Sequence, residues 1–407
     1  MEDVEHHFPQ GLTFDDVLLT PGYTDFSRSD ISLSTKFTKT ITLDIPFVSS
    51  PMDTVTESTL AIALAKMGGI GIIHRNLSVE SQADEVATVK KANLLVGAAI
   101  GVSAGFEERA EALMAAKVDV LVMDSAHGYT KTMIDAIKHV KNKYASLQII
   151  AGNIATFDGA KGLIEAGADA LRVGMGPGAI CTTRIVSGMG VPQVTAILET
   201  HRAAKKYGVP VIADGGLKYS GDMVKALAAG ASAVMMGSFF ASTFEAPGRI
   251  VTLKREFVPK RFLSVFGGEE KKLLESKEHQ TEKDIEQVEE SIEGEIYQFK
   301  EYRGMGSEGA MKKGADVKSE DEYHGKSYKD KVLVAEGVEG FVPIKGSVQD
   351  VLEQAIGGIK SGMFYVGAKT LEELQAKAKF IQLTQASLTE SHPHDVLVTN
   401  PGKSYSG

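Results

Sequence analysis

The sequence has no tryptophan, a single cysteine and only 12 prolines in 407 residues. One cysteine excludes an internal disulfide, and a lone thiol fits a reducing, cytoplasmic compartment. Long apolar runs are missing too: no stretch approaches the ~20 continuous apolar residues of a membrane helix. The amino-terminal residues 1–7 are acidic and lack an apolar centre, so no secretory signal is expected there. Positive charge is in deficit, with 44 Lys and Arg against 53 Asp and Glu, a net of −9. That argues against a general nucleic-acid binder while leaving room for a local anion site. There is no HExxH, no paired CxxC and no Walker loop, so a transition-metal site is not expected. What the chain has in plenty is glycine, at 42 residues, in a composition that is otherwise ordinary for a globular protein.

Eight short apolar runs punctuate residues 45–236: Ile45–Ser50, Gly71–His74, Leu95–Ile100, Val118–Met123, Gln148–Ala151, Ala168–Val173, Val209–Ala213 and Ala233–Met236. Helical patterns alternate with them, as in Ser58–Met67, Phe106–Ala116, Thr130–Tyr144, Gly159–Glu165, Val194–Tyr207 and Ser220–Ala229. Strands alternating with helices imply parallel βαβ units, and continuously apolar strands imply a sheet buried on both faces. Eight consecutive units favour a closed (β/α)8 TIM barrel over an open doubly wound sheet. Beyond strand eight the composition shifts. Residues 249–296 read as a charged insertion; within it Glu269–Glu295 carries eleven acidic residues and four lysines. Residues 314–340 read as a mobile flap. The whole chain, 1–407, reads as one catalytic domain.

In such a barrel, chemistry gathers at the carboxyl ends of the strands. Polar and glycine-rich segments follow nearly every predicted strand, from Ser49-Ser50-Pro51-Met52-Asp53 after the first to Gly237-Ser238 after the eighth. The richest is Gly174–Gly190, where five glycines and Pro177 surround Cys181. A free cysteine is often a small buried hydrophobe. The glycine loop, with Thr182, Thr183 and Arg184 next to the thiol, favours a nucleophile instead. Asp214-Gly215-Gly216 and Gly237-Ser238 each precede a predicted helix, the usual arrangement for a phosphate in barrels. A carboxylate repels phosphate, so Asp214 suits a ribose hydroxyl pair. Asp124 and Asn153, at strand ends, suit a second ligand. Glu301–Ser307 and Glu336–Gly340 combine polar groups with glycines but are weak signals alone. His127 reads as a structural or supporting group.

These motifs together resemble the IMP dehydrogenase/GMP reductase family. The likeness rests on Leu12–Leu19, Ser49–Val55, Asp124–Gly128, Gly174–Arg184, Ala213–Gly216, Tyr302–Ser307, Glu336–Gly340 and Glu390–Val396. It implies a (β/α)8 barrel assembled as a homotetramer and acting on IMP or GMP, with no nucleic acid and no membrane involved. Residues 75–95 form a short connection where many members insert CBS modules. The resemblance assigns catalysis to Cys181, Thr183, Glu336 and Tyr323. Cys181 would attack C2 of the purine, with Thr183 and Glu336 moving protons. The nucleotide would lie among Ser50, Met52, Asp214, Gly215, Gly216, Gly237, Ser238, Tyr302, Gly304, Met305, Gly306 and Glu336. NAD, or NADPH in a reductase, would face Asp124, Ser125, Ala126, Asn153 and Gly174. Potassium would take carbonyls of Gly176, Gly178 and Cys181, with Glu390 from a neighbouring subunit. The implied reaction is oxidation of IMP to XMP with NAD in guanine nucleotide biosynthesis. The alternatives are NADPH-dependent conversion of GMP to IMP and a non-catalytic nucleotide-binding paralogue. Two departures bear on this. Glu322 stands where dehydrogenases carry an Arg before Tyr323, and Glu308 is reductase-like. Leu333-Val334-Ala335-Glu336 and the Glu390–Val396 tail are dehydrogenase-like.

Overall fold

All eight apolar runs form parallel strands: β1 (Phe47–Ser49), β2 (Ile70–Ile73), β3 (Val96–Ile100), β4 (Val120–Asp124), β5 (Gln148–Ile154), β6 (Ala170–Val173), β7 (Val211–Asp214) and β8 (Ala233–Met236). They close in the order β7-β8-β1-β2-β3-β4-β5-β6, with Val234 to Met236 in register with Phe47 to Ser49 at the seam. The computed structural model describes residues 8–259, 262, 296–317 and 334–396.

Side chains alternate along the strands as the pleat requires. Val48, Ile70, Ile72, Ala99, Val120, Val122, Ile150, Ala170, Ile212, Ala233 and Met235 form one buried cluster inside the barrel. A hairpin of Thr35–Lys36 with Thr42–Leu43 adds Phe37 and Leu43 to it. Their neighbours, such as Phe47, Ile73, Leu121, Met123, Leu171 and Val173, face the second cluster, shared with the helices. Continuous apolarity in the strands reflects burial on both faces.

The helices between strands are α1 (Ser58–Lys66), α2 (Val79–Lys91), α3 (Phe106–Ala115), α4 (Lys131–Lys143), α5 (Phe157–Ala166), α6 (Thr183–Val186), α7 (Gln193–Ala204), α8 (Ser220–Ala228) and α9 (Ser238–Ala241). Ser78, Thr130 and Thr156 cap α2, α4 and α5 by accepting backbone N–H groups from Ser81, Met133 and Gly159. The connection 75–95 holds α2 and nothing larger. Gln82 locks α2 down, donating to the Ala99 carbonyl at 2.7 Å and accepting from buried Arg109 at 2.8 Å.

After the barrel comes a three-stranded antiparallel sheet of β9 (Ile250–Lys254), β10 (Ile296–Arg303) and β11 (Glu339–Pro343). Range 249–296 therefore opens with a strand. The acidic run 269–295 and flap residues 318–333, Glu322 and Tyr323 among them, lie outside the described residues. Within 314–340, residues 314–316 finish α10 (Glu308–Asp316) and 339–340 begin β11. Three helices follow: α11 (Val348–Val366), α12 (Leu371–Lys377) and α13 (Gln385–Glu390). Between the last two, Phe380–Gln382 pairs with Val17–Leu19. Among the described residues no helix is long and apolar enough to cross a membrane.

Candidate active site

Cys181 sits half-buried in the loop between β6 and α6. Its thiol donates to Thr183 Oγ1 at 3.3 Å, and the Thr183 hydroxyl donates to Glu336 Oε2 at 2.8 Å. Two segments far apart in sequence make this possible. Thr182 N–H donates to the Glu336 carbonyl and Val338 N–H to the Ile180 carbonyl, both at 3.0 Å, and Cys181 bridges Gly337 in antiparallel fashion. The cysteine loop is therefore paired as a short ribbon with the segment bearing Glu336. Arg184 secures its other side, donating to the carbonyls of Met175 at 3.3 Å and Val191 at 2.8 Å.

A second group of expected residues meets beside it. Tyr302, buried on β10, places its hydroxyl 3.9 Å from Met52 Sδ and takes the Ser238 N–H. A Cβ on Gly237 would lie 2.6 Å from that hydroxyl and 3.0 Å from the same sulfur, so only glycine fits there. The Gly215–Gly216 turn packs against Pro177 and Gly178 of the cysteine loop. Ser50 N–H is held by the Met236 carbonyl at 3.1 Å. Gly304 and Gly306 back onto Gly337 and Glu336, and Met305 lies between them half-buried. Burial, and then the charge of Asp214, push the Tyr302 phenol well above its ordinary pKa, so it is a neutral hydroxyl at physiological pH.

The third group is a charge network across the barrel mouth. Asn153 Nδ2 donates to Asp214 Oδ2 and to the Gly174 carbonyl, both at 2.9 Å. Arg172 Nε donates to Asp214 Oδ2 at 2.8 Å, while another of its nitrogens donates to Asp124 Oδ1. Arg75 Nε reaches Asp124 Oδ2 at 3.3 Å. Just past β4, Ser125 N–H donates to the Gly152 carbonyl at 3.0 Å and the Ser125 carbonyl accepts the Asn153 N–H at 2.7 Å, with Ala126 exposed just beyond. Burial alone would lower the Arg172 pKa, but the two carboxylates outweigh it and raise it. Arg172 and Arg75 were not anticipated as members of this group. Their signal was a charged residue inside or just after a run otherwise apolar and buried on both faces.

Glu390 is not brought to the site within this chain. It ends α13, exposed, beyond the edge strand Phe380–Gln382. Tyr323 lies outside the described residues.

A sequence model of the IMP dehydrogenase / GMP reductase domain matches residues 11–298 and 295–394. The chain is similar to an inosine-5'-monophosphate dehydrogenase of Cryptosporidium parvum, 41% identical over 440 residues covering 98% of each chain. It is 40% identical over 437 residues to one from Borreliella burgdorferi, covering 95% of this chain and 97% of the other. A third, from Aquifex aeolicus, is 37% identical with 100% of this chain and 99% of the relative covered. That alignment runs over 533 residues against the 407 of this chain, so the Aquifex protein carries a long segment without counterpart here. A nearly full-length match, on a closed barrel with these motifs at its mouth, means that the chain belongs to the IMP dehydrogenase/GMP reductase family.

Proposed function

We propose that this protein oxidises IMP to XMP with NAD, an NAD-dependent step of guanine nucleotide biosynthesis. The observation that carries it is the relay from Cys181 through Thr183 to Glu336. The direction of those two hydrogen bonds already points a proton from sulfur toward a carboxylate, which is what turning a thiol into a nucleophile requires.

The phosphate of IMP would lie in the cradle of Gly216, Gly237, Ser238 and Tyr302, where the lack of a side chain at Gly237 leaves room for the Tyr302 hydroxyl. Asp214 would accept the ribose hydroxyls, its carboxylate oriented by Arg172 and Asn153. Cys181 Sγ adds to C2 of the purine and the C2 hydrogen leaves as hydride with its electron pair. Water then adds at C2 of the adduct, Glu336 takes its proton through Thr183, and the C2–Sγ bond breaks to release XMP. The balance is IMP, NAD and water giving XMP, reduced NAD and a proton. When bound, NAD supplies the hydride acceptor. The residues present fit such a second ligand. Asp124, Ser125, Asn153 and Gly174 form a hydrogen-bonded polar floor that runs without a break to Asp214. Tyr323 would add to the water-activating step from the flap.

Potassium fits the carbonyls of Gly176, Gly178 and Cys181, since alkali cations take hard oxygen donors. The Gly178 carbonyl accepts the Cys181 N–H at 3.0 Å and keeps a second lone pair. Glu390 would join only from a second copy, in the family's homotetramer. A reducing cytoplasm suits the lone thiol that the reaction uses.

A paired assay tests the reading. One cuvette holds IMP, NAD and potassium, the other GMP and NADPH, and both are followed by nicotinamide absorbance. A rise in the first with XMP formed is expected. A fall in the second alone, with IMP and ammonia formed, would reassign the chain as the reductase. Silence in both, with IMP still bound, would favour a non-catalytic paralogue.

A further inference from the structure

Asp53 has no part in the chemistry above, yet it is the most heavily bonded carboxylate at the barrel mouth. Its side chain is fully buried. Arg303 grips it with two nitrogens, Nε at 3.0 Å from Oδ1 and a terminal nitrogen on Oδ2. Asn76 Nδ2 donates to the same Oδ2 at 2.9 Å and to the Ala310 carbonyl at 3.0 Å. Next door, Thr54 Oγ1 accepts the Arg303 backbone N–H at 3.2 Å. A forked guanidinium–carboxylate pair fixes orientation as well as distance.

The neighbours of this pair in sequence are what it positions. Asp53 follows Met52, and Arg303 follows Tyr302, whose hydroxyl faces the Met52 sulfur. From Arg303 the chain turns through Gly304 and Gly306 to the segment carrying Glu336. Gly304 N–H donates to the Val338 carbonyl at 3.0 Å and Glu336 N–H to the Gly306 carbonyl at 3.1 Å. On the other side, loop one is itself rigid, because Thr56 bonds Ser49 Oγ at 2.8 Å and the Ser50 carbonyl at 2.7 Å.

We propose that Asp53, Asn76 and Arg303 form a latch that positions the phosphate-side hydroxyl of Tyr302 and the proton acceptor Glu336 against the rigid barrel. The three are positioning residues. Fixing them fixes both ends of the site, since the 302–307 turn carries Tyr302 at one end and supports Glu336 at the other. This rests on the roles of Tyr302 and Glu336 given above.

The test uses the full chain and the variants Asp53→Asn, Arg303→Lys and Arg303→Met. Steady-state and single-turnover kinetics are read beside backbone amide exchange. Misplacing a catalytic group by about 1 Å costs on the order of 100-fold. Hydrolysis should therefore fall ~10- to 100-fold in Asp53→Asn, and the KM for IMP should rise. Amide exchange should quicken at Gly304, Ser307, Glu336 and Val338 while strands β3 to β6 stay protected. Arg303→Lys keeps the charge and loses the fork, so it should fall between the parent and Arg303→Met. Unchanged exchange at those four amides overturns the latch. So does loosening spread evenly over the barrel with kcat and KM of the folded fraction intact. If the parent turns over no IMP, the enzymatic reading fails, and amide exchange still decides the latch alone.

Discussion

Glu336 is joined to Cys181 by a single hydroxyl, and that sets what each residue should do when removed. In the proposed mechanism Cys181→Ala removes the atom that would bond C2, so turnover should drop to background. IMP binding, spread over the phosphate and ribose contacts, should stay nearly intact by calorimetry; its loss would place the thiol in binding instead. Glu336→Gln keeps the hydrogen bond from Thr183 but cannot take the proton. A positioned base contributes ~10²- to 10⁴-fold, so hydrolysis should fall within that range while hydride transfer falls less. Stopped-flow traces with equal losses in both steps would remove Glu336 from water activation. At this scale much was legible. Cys181 stood out by its glycine context and Thr183 by adjacency. Arg172 did not, because a lone arginine in Ala168–Val173 reads as an interruption of an apolar strand. Its meaning needs the two carboxylates that meet it from β4 and β7.

Elements matter here through the loops that leave them. Gly174 ends β6 at φ +153°, and a Cβ there would stand 2.2 Å from the Asp214 carbonyl. Gln193, at the start of α7, donates to that carbonyl at 3.0 Å and to the Val173 carbonyl at 2.9 Å. The cysteine loop therefore leaves the barrel pressed against the end of β7. Gly174→Ala should cost about 1–3 kcal/mol of stability from backbone strain. It should also lower kcat/KM at least ~10-fold, because the clash moves Cys181 relative to Asp214; a variant with normal kcat/KM would show that the loop absorbs the shift. The eight strands and their helices were readable because period and burial agree along each. The sheet of β9, β10 and β11 was not. Its first strand lies within a stretch whose charge dominates the composition, and its pairing spans the chain from Ile250 to Pro343.

Three of the groups with displaced pKa values show how the molecule as a whole answers to pH. Lys300 is buried against the carbonyls of Phe244 and Ala246, and burial pushes its ammonium down to about 8. Between about 8 and 10.5 the unfolded chain holds a proton that the native one has lost, so stability from this group rises with pH. The Tyr302 phenol is displaced upward, so above pH 10 the unfolded chain ionises first and stability falls. For Asp53, burial alone would raise the pKa, but hydrogen bonds from Arg303 and Asn76 outweigh it and lower it. Its stabilisation is present above 3.8 and lost as pH falls through the lowered value. Urea midpoints should thus climb between pH 8 and 10 and drop on either side of the wider plateau. Burial also pushes Lys225 and Lys345 down, so in Lys300→Met the climb should shrink rather than vanish; an unchanged climb would mean that Lys300 does not contribute to it.

Local order along the chain determined the barrel, the glycine-rich loop around Cys181 and the family, because each is written in residues a few positions apart. The tertiary structure alone decided which distant partners meet. Thr183 and Glu336 are 153 positions apart, and Asp53 and Arg303 are 250. No spacing rule spans such distances. Those pairs form because barrel closure sets the ends of β1 and β6 on one rim, and the sheet after the barrel carries Arg303 and the segment with Glu336 across it.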